Sequence, residues 1–161
     1  MRTVEAGRLR LVEGSFVQGL ADPQGLVLAT TNGTLRKDGS LVMGAGSARV
    51  LSERFPTLPL LLGKEVAALP KPYGLAVVSV QGKLLGGFQT KEDWREPAKL
   101  SLVAYSAALL EGYLTDNPKV RAHLPLPGVG LGGLPEGEVL AVLERVLWRV
   151  ADKVIVYRWS G

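Results

Sequence analysis

The chain has 161 residues, 47% hydrophobic and 21% charged, a composition that supports one domain with a core of its own and argues against wholesale disorder. A formal net charge of +4, without any block of like charge, reads first as ordinary surface charge, and is compatible with an anionic ligand or nucleic acid. With no cysteine and one histidine, His123, disulfides, thiolate zinc sites and thiol catalysis are excluded, and a His-based metal centre or Ser-His-Asp triad has little to draw on.

No repeat or low-complexity linker interrupts residues 1–161, so a single domain is expected. "RLRLVEGSF" alternates polar and apolar residues as a half-buried strand does. "GLVLATTNG" reads as a buried strand whose carboxyl end opens on a site, and "TLRKDGSLVM", with the turn pair Asp38-Gly39, as a hairpin-like excursion. A helix is predicted from about Ser47 to Phe55, with Ala48, Leu51 and Phe55 on one face and Pro56 ending it. Pro59 and "LLLGKEVAALP" suggest a short helix within 58–72. "GLAVVSV" and "KLLGGF" are strands. A helix follows from near Pro97, with Leu100, Val103, Ala104, Ala107 and Leu114 at helical spacing. "VRAHLPLPG" is a strand running into a glycine loop. A last helix starts near Pro135 and buries Val139, Val142, Leu143, Val146 and Val150; "KVIVYRW" closes the chain as a strand. Strands alternating with helices predict an α/β sandwich with a largely parallel sheet.

In such a sheet ligands bind beyond the carboxyl ends of the strands. Four stretches fall there: "TTNG" (30–33), "MGAGSA" (43–48), "GGFQTKEDW" (86–94) and "PGVGLGGLPEGE" (127–138). The first glycine loop precedes a helix, whose N-terminal amides suit an anion. It is neither a Walker loop, since "LGKE" has Glu65 where a hydroxyl is needed, nor a dinucleotide fingerprint, which needs glycine at Arg49. Alone it reads equally as a tight joint. The second loop has four glycines in six residues and also leads into a helix. Two such loops suit a diphosphate clamped from both sides, and glycine's entropic cost makes two purely structural ones a poor account.

Taken in order, "LATTNG…LVMGAGSARVLSERFP", "FQTKEDWREP", "LPLPGVGLGGL" and "VIVY" resemble a macro domain, the ADP-ribose-binding fold. Within that family they are most similar to the branch holding the DNA-linked ADP-ribose-removing antitoxin macro domain and the terminal ADP-ribose glycohydrolase. The resemblance covers nearly the whole chain and implies a three-layer α/β/α sandwich with a mixed, largely parallel sheet, no metal and no cofactor. It implies that Met43, Gly44, Ala45, Gly46, Ser47 and Ala48 wrap the distal ribose and a phosphate. Gly128, Val129, Gly130, Leu131, Gly132 and Gly133 would hold the diphosphate. Asn32 would face the distal ribose, Tyr157 would stack on adenine, and Lys91 would be catalytic, as base or nucleophile at the anomeric carbon. Two positions depart from the family. Ser15 stands where many members read the adenine amine with an Asp, which puts adenine selection in question. Gly132 stands where the glycohydrolase has an Asp that aids product release. The antitoxin's further domain has no counterpart here, so toxin neutralisation is not part of the expectation.

Several of these residues also have plain structural readings. Trp94 is expected to cover the edge of the core, and Glu92 and Asp93 to be surface charges, with holding Lys91 as their alternative. His123 is expected to cap a strand or pack inside. Tyr157 divides between core and stacking, and Asn32 between site and turn. Arg36 and Lys37 are expected to be exposed, within reach of a nucleic-acid backbone if one carries the ADP-ribose. The combined expectation is a chain that binds ADP-ribose or ADP-ribosyl groups and hydrolyses the ADP-ribosyl linkage on nucleic acid (DNA among the candidates) or protein through Lys91. A binding-only module and an ADP-ribose 1″-phosphate phosphatase are the alternatives. No run approaches the ~18 apolar residues of a bilayer span, and "MRTVEAGRLRL" lacks the apolar segment of a leader. A cytoplasmic protein with no membrane partner is therefore expected.

Overall fold

The computed structural model describes Thr3–Ala6 and residues 8–158. The predicted last strand runs on to Trp159, which lies outside the described residues, as do 1, 2, 7, 160 and 161 of the expected domain. Seven strands form one sheet in the order β1-β2-β7-β6-β3-β5-β4: β1 Thr3–Ala6, β2 Leu9–Glu13, β3 Gly25–Thr31, β4 Leu75–Val80, β5 Lys83–Gln89, β6 Arg121–Pro125 and β7 Val154–Arg158. The inner pairs are parallel and only the edge pairs, β1–β2 and β4–β5, are antiparallel.

A parallel strand buried on both faces needs a continuous apolar run, and β3 supplies one. Leu26 and Leu28 enter a core shared with Val103, Ala107 and Leu110 of α3 (Leu100–Asp116) and Val139 and Leu143 of α4 (Glu136–Val146). Val27 and Ala29 point the other way, into a core with Phe16, Leu51 of α1 (Gly46–Arg54) and Leu58 and Leu62 of α2 (Leu58–Ala67). The result is the expected α/β/α sandwich with a mixed, largely parallel sheet.

The differences from expectation lie mostly at element ends. α3 begins at Leu100 rather than near Pro97. The Ala98 amide donates to Gly132 O (3.1 Å) and the Lys99 amide to Thr90 O (2.9 Å), which holds this stretch extended. Val150 is buried as predicted but lies past the end of α4, in a separate 3-10 turn, Trp148–Lys153, where its φ of −120° is itself non-helical. A 3-10 turn, Phe16–Ala21, and strand β1 are additions; pieces this short carry little periodicity to read. The excursion after β3 is present: Leu35 bridges Leu41, and Asp38 Oδ1 accepts from the Ser40 amide at 2.9 Å.

One feature of the register creates the site. The β3–β6 ladder stops at Val27 and His123, while β3–β5 runs on to Thr31 and Gln89, and β6–β7 to Pro125 and Tyr157. The sheet therefore splits at its carboxyl edge between β3 and β6. The chain leaves β3 through α1 and α2 toward β4, and leaves β6 through the glycine loop and α4 toward β7. That is the reversal of strand order at which open α/β sheets bind ligands.

Candidate functional site

A cleft of about 1030 Å³ occupies this split, at the upper end for a small-molecule site. One wall is the start of α1. Where β6 diverges, the Thr30 amide loses its strand partner and donates instead to Ser47 Oγ at 2.9 Å, and Thr30 Oγ1 lies 2.9 Å from the same hydroxyl. Ser47 thus pins the first turn of α1 to β3. The helix N-cap, Ala45, has no side chain able to satisfy the first amides, so these stay available along Gly44–Ala48, which line the cleft. Gly46 sits at φ +58°, a left-handed conformation that glycine adopts without penalty.

The facing wall is the second glycine loop, and its glycines do different work. A Cβ on Gly128 would lie 2.6 Å from Leu134 Cδ1, and one on Gly132 would lie 2.9 Å from Ala98 Cβ. These two pack the loop against its surroundings, whereas a Cβ on Gly130 would meet no described atom within 4 Å. Crowding against Ala98 explains why an Asp has no room at position 132. Gly128, Val129, Gly130, Leu131 and Gly132 line the cleft; Gly133, also expected there, does not, and instead ends the 3-10 turn Gly130–Gly132. Leu131 is 79% exposed, and its Cδ1 is 3.9 Å from where a Gly46 Cβ would be. The two loops therefore approach each other across the mouth.

The far end is built on the tails of β3 and β5, which remain joined past the sheet. Thr90 N donates to Thr31 O (2.9 Å), Gly33 N to Glu92 O (3.0 Å), and Trp94 N to Thr34 Oγ1 (3.0 Å). Asn32 serves as both turn and cleft wall: its Oδ1 accepts from Thr34 N at 2.9 Å and its Nδ2 donates to Val42 O at 3.0 Å. Two buried residues the sequence reading passed over support this end. The Tyr73 hydroxyl donates to Asn32 O (2.6 Å) and pairs with Thr31 Oγ1 (2.5 Å), and burial raises its pKa well above the ordinary phenol value. Gln89 accepts from Gly74 N (2.9 Å) and donates to Lys91 O (3.1 Å). Their one signal in the sequence was a Gln closing an apolar strand.

Lys91 is half-buried and lines the cleft. Neither neighbouring acid holds it. Glu92 pairs with Lys99 at 3.1 Å, and Asp93 with Arg95 at 2.9 Å, which brings the Asp93 carboxyl down to about 2. Trp94 does not cover the core: it is 53% exposed on the cleft wall. Arg36, Glu136 and Arg158 also line the cleft and were not anticipated as lining residues, whereas Ser15 does not line it. The Ser15 hydroxyl caps the turn Phe16–Ala21, accepting from Val17 N at 3.4 Å.

Tyr157 forms part of the cleft floor but is only 3% exposed, and its hydroxyl turns away to His123 Nδ1 at 2.7 Å. The other ring nitrogen of His123 meets Asp22 Oδ2 at 2.9 Å, and Asp22 in turn pairs with Arg121 at 2.6 Å. The Arg121 guanidinium holds the Asp22 carboxyl far below the usual range, so Asp22 is an acceptor, and a hydrogen on His123 Nε2 is donated to it. Because the folded pKa is depressed, this stability is present above the unfolded value of 3.8 and drains away as pH falls below it. Asp22→Asn is expected to lower the urea midpoint at pH 7, with the gap to the parent narrowing steadily below pH ~4. A pH-independent gap would show that ionisation of Asp22 contributes nothing.

Among the described residues no cluster of His, Asp and Glu could hold a metal ion, and no helix is long and apolar enough to cross a membrane.

The architecture has close structural counterparts. The macrodomain of Thermus aquaticus DarG superposes with a TM-score of 0.72 at 26% identity, covering 95% of this chain and 98% of its own. The chain has the macrodomain fold. The macrodomain of Mycobacterium tuberculosis DarG gives 0.73 at 25% identity over 92% of this chain and 97% of that one. Thermosipho africanus DarTG, solved in complex with ADP-ribose, shares the fold at TM-score 0.77 and 20% identity, with this chain spanning 43% of its length. No protein-family model and no curated protein matches the sequence significantly.

Proposed function

We propose that residues 1–161 form one macrodomain that binds ADP-ribose or ADP-ribosyl groups and hydrolyses the ADP-ribosyl linkage on a nucleic acid or protein carrier. The observation that carries the binding reading is the pairing of two amide-rich walls, the start of α1 and the Gly128–Gly132 loop, across one cleft. Uncapped helix amides and oriented loop amides neutralise a diphosphate without a cationic side chain. The DarTG structure in complex with ADP-ribose, which has this fold, supports the same ligand.

Lys91 lines the same cleft, after β5, and in this reading it meets the sugar beyond the diphosphate. Its ammonium must first lose a proton. The neutral amine then either takes a proton from water attacking the anomeric carbon or attacks that carbon itself, while the electron pair of the broken bond leaves with the carrier; in the second case water then displaces the lysine from the anomeric carbon, returning the amine and releasing ADP-ribose. Arg36 and the exposed Trp94 flank this end and suit a nucleic-acid carrier, through a phosphate contact and base stacking.

Titration with ADP-ribose, a thermal melt in its presence and turnover assays on ADP-ribosylated DNA and protein test the reading. A ligand at 100 times its Kd stabilises the native state by about 2.7 kcal/mol, a rise the melt detects. No stabilisation at millimolar ADP-ribose would sink the binding reading. Tight binding without turnover of either carrier would leave a binding module, and phosphate release from ADP-ribose 1″-phosphate would favour a phosphatase.

A further inference from the structure

The cleft crosses the sheet in a definite order. Lys91 follows β5, the start of α1 is reached from β3, the Gly130 loop follows β6, and Arg158 ends β7. The amide-rich walls therefore sit over the two middle strands, with Lys91 at one end and Arg158 at the other. Three inter-strand steps separate these ends, about 14 Å. A nucleoside diphosphate sugar with its diphosphate over the middle strands and its sugar toward Lys91 must put its base at the β7 end.

The chemistry at that end is specific. Arg158 and Glu136 both line the cleft, and Arg158 donates Nε to Glu136 Oε1 at 2.6 Å and Nη2 to the same oxygen. Arg158 also reaches Glu13 Oε1 at 3.5 Å. Both members of the Glu136–Arg158 pair keep about a third of their side-chain surface exposed. Both guanidinium contacts fall on Oε1, and among the described residues no hydrogen bond reaches Oε2. Glu136 lines the cleft, and an ionised carboxylate is an acceptor only, so a base seated against it is selected for presenting an amine. Ser15 does not compete for this task, because it lies outside the cleft wall and its hydroxyl caps a turn.

We propose that Glu136, braced by Arg158, determines base specificity by accepting a hydrogen bond from the exocyclic amine of adenine. The inference rests on the reading of the cleft as an ADP-ribose site. Replacing adenine with hypoxanthine turns that amine into a carbonyl and sets lone pair against carboxylate. A site built around a hydrogen bond rejects the analogue that cannot make it.

The test is isothermal titration of the full chain and of Glu136→Gln with ADP-ribose and with its hypoxanthine counterpart, IDP-ribose, with thermal melts confirming that the variant is folded. The parent is expected to prefer ADP-ribose by at least about tenfold. Glu136→Gln, whose amide can turn either an acceptor or a donor to the base, is expected to shrink that preference to about threefold or less, chiefly by weakening ADP-ribose. Equal affinities in the parent, or a preference unchanged in Glu136→Gln, overturn the role of Glu136 while leaving the ADP-ribose site in place. Binding of neither nucleotide overturns both.

Discussion

Lys91→Ala is expected to reduce turnover of an ADP-ribosylated carrier by at least about 10²-fold, the usual minimum for a positioned proton-transfer group, while ADP-ribose affinity changes little. The backbone under Lys91 is held by Gln89 Nε2 on its carbonyl and by the Thr90 and Gly33 hydrogen bonds, none of which uses the lysine side chain. Removing the amine therefore leaves the cleft intact. Lys91→Arg separates two roles. A guanidinium keeps charge and reach but cannot lose its proton at working pH. If the lysine acts as a neutral amine, Lys91→Arg is as inactive as Lys91→Ala. Substantial activity in Lys91→Arg would mean that Lys91 stabilises charge, and full activity in Lys91→Ala would remove it from the chemistry.

Gly44→Val is expected to weaken ADP-ribose binding by at least about tenfold, or 1.4 kcal/mol, with an unchanged melting temperature in the absence of ligand. A Cβ at Gly44 meets no described atom within 4 Å, and Gly44 is not among the glycines with positive φ, so the added side chain enters open space beside the cleft without straining the fold. Gly46→Val is the blunter probe. It also blocks the cleft, but at φ +58° a β-branched residue adds about 1–3 kcal/mol of backbone strain. In a domain of this size that lowers Tm by about 2–4 °C per kcal/mol. Unimpaired titration by Gly44→Val would mean that the loop is a joint between β3 and α1 and not a wall of the site.

Much of this molecule is readable from its residues. Runs such as "GLVLATT" and "KVIVY" alternate with helical stripes, and a sheet covered on both faces is the arrangement that buries all of them. The two glycine loops stood out because glycine is costly where nothing requires it, and both proved to line one cleft. Lys91 and Asn32 could be placed because they follow apolar strands directly, and a strand end at the carboxyl edge leaves few places for the next residues to go.

What the sequence could not determine depends on partners distant along the chain. Tyr157 reads equally as an adenine platform or a core residue until β6 brings His123 beneath it and Asp22, 101 residues from His123, completes the hydrogen-bonded chain. Trp94 looks like a core residue by composition, yet the Thr34 hydroxyl that takes its amide holds it on the surface of the cleft. Glu92 and Asp93 read as surface charges with holding Lys91 as their alternative, and only the fold shows that Lys99 and Arg95 pair with them instead. Local pattern determines which residues must be buried and where the strands end, because burial and periodicity act over a few residues. Which polar group meets which is decided by sheet order and register, and only the folded chain brings Glu136 and Arg158 together at the end of the cleft opposite Lys91.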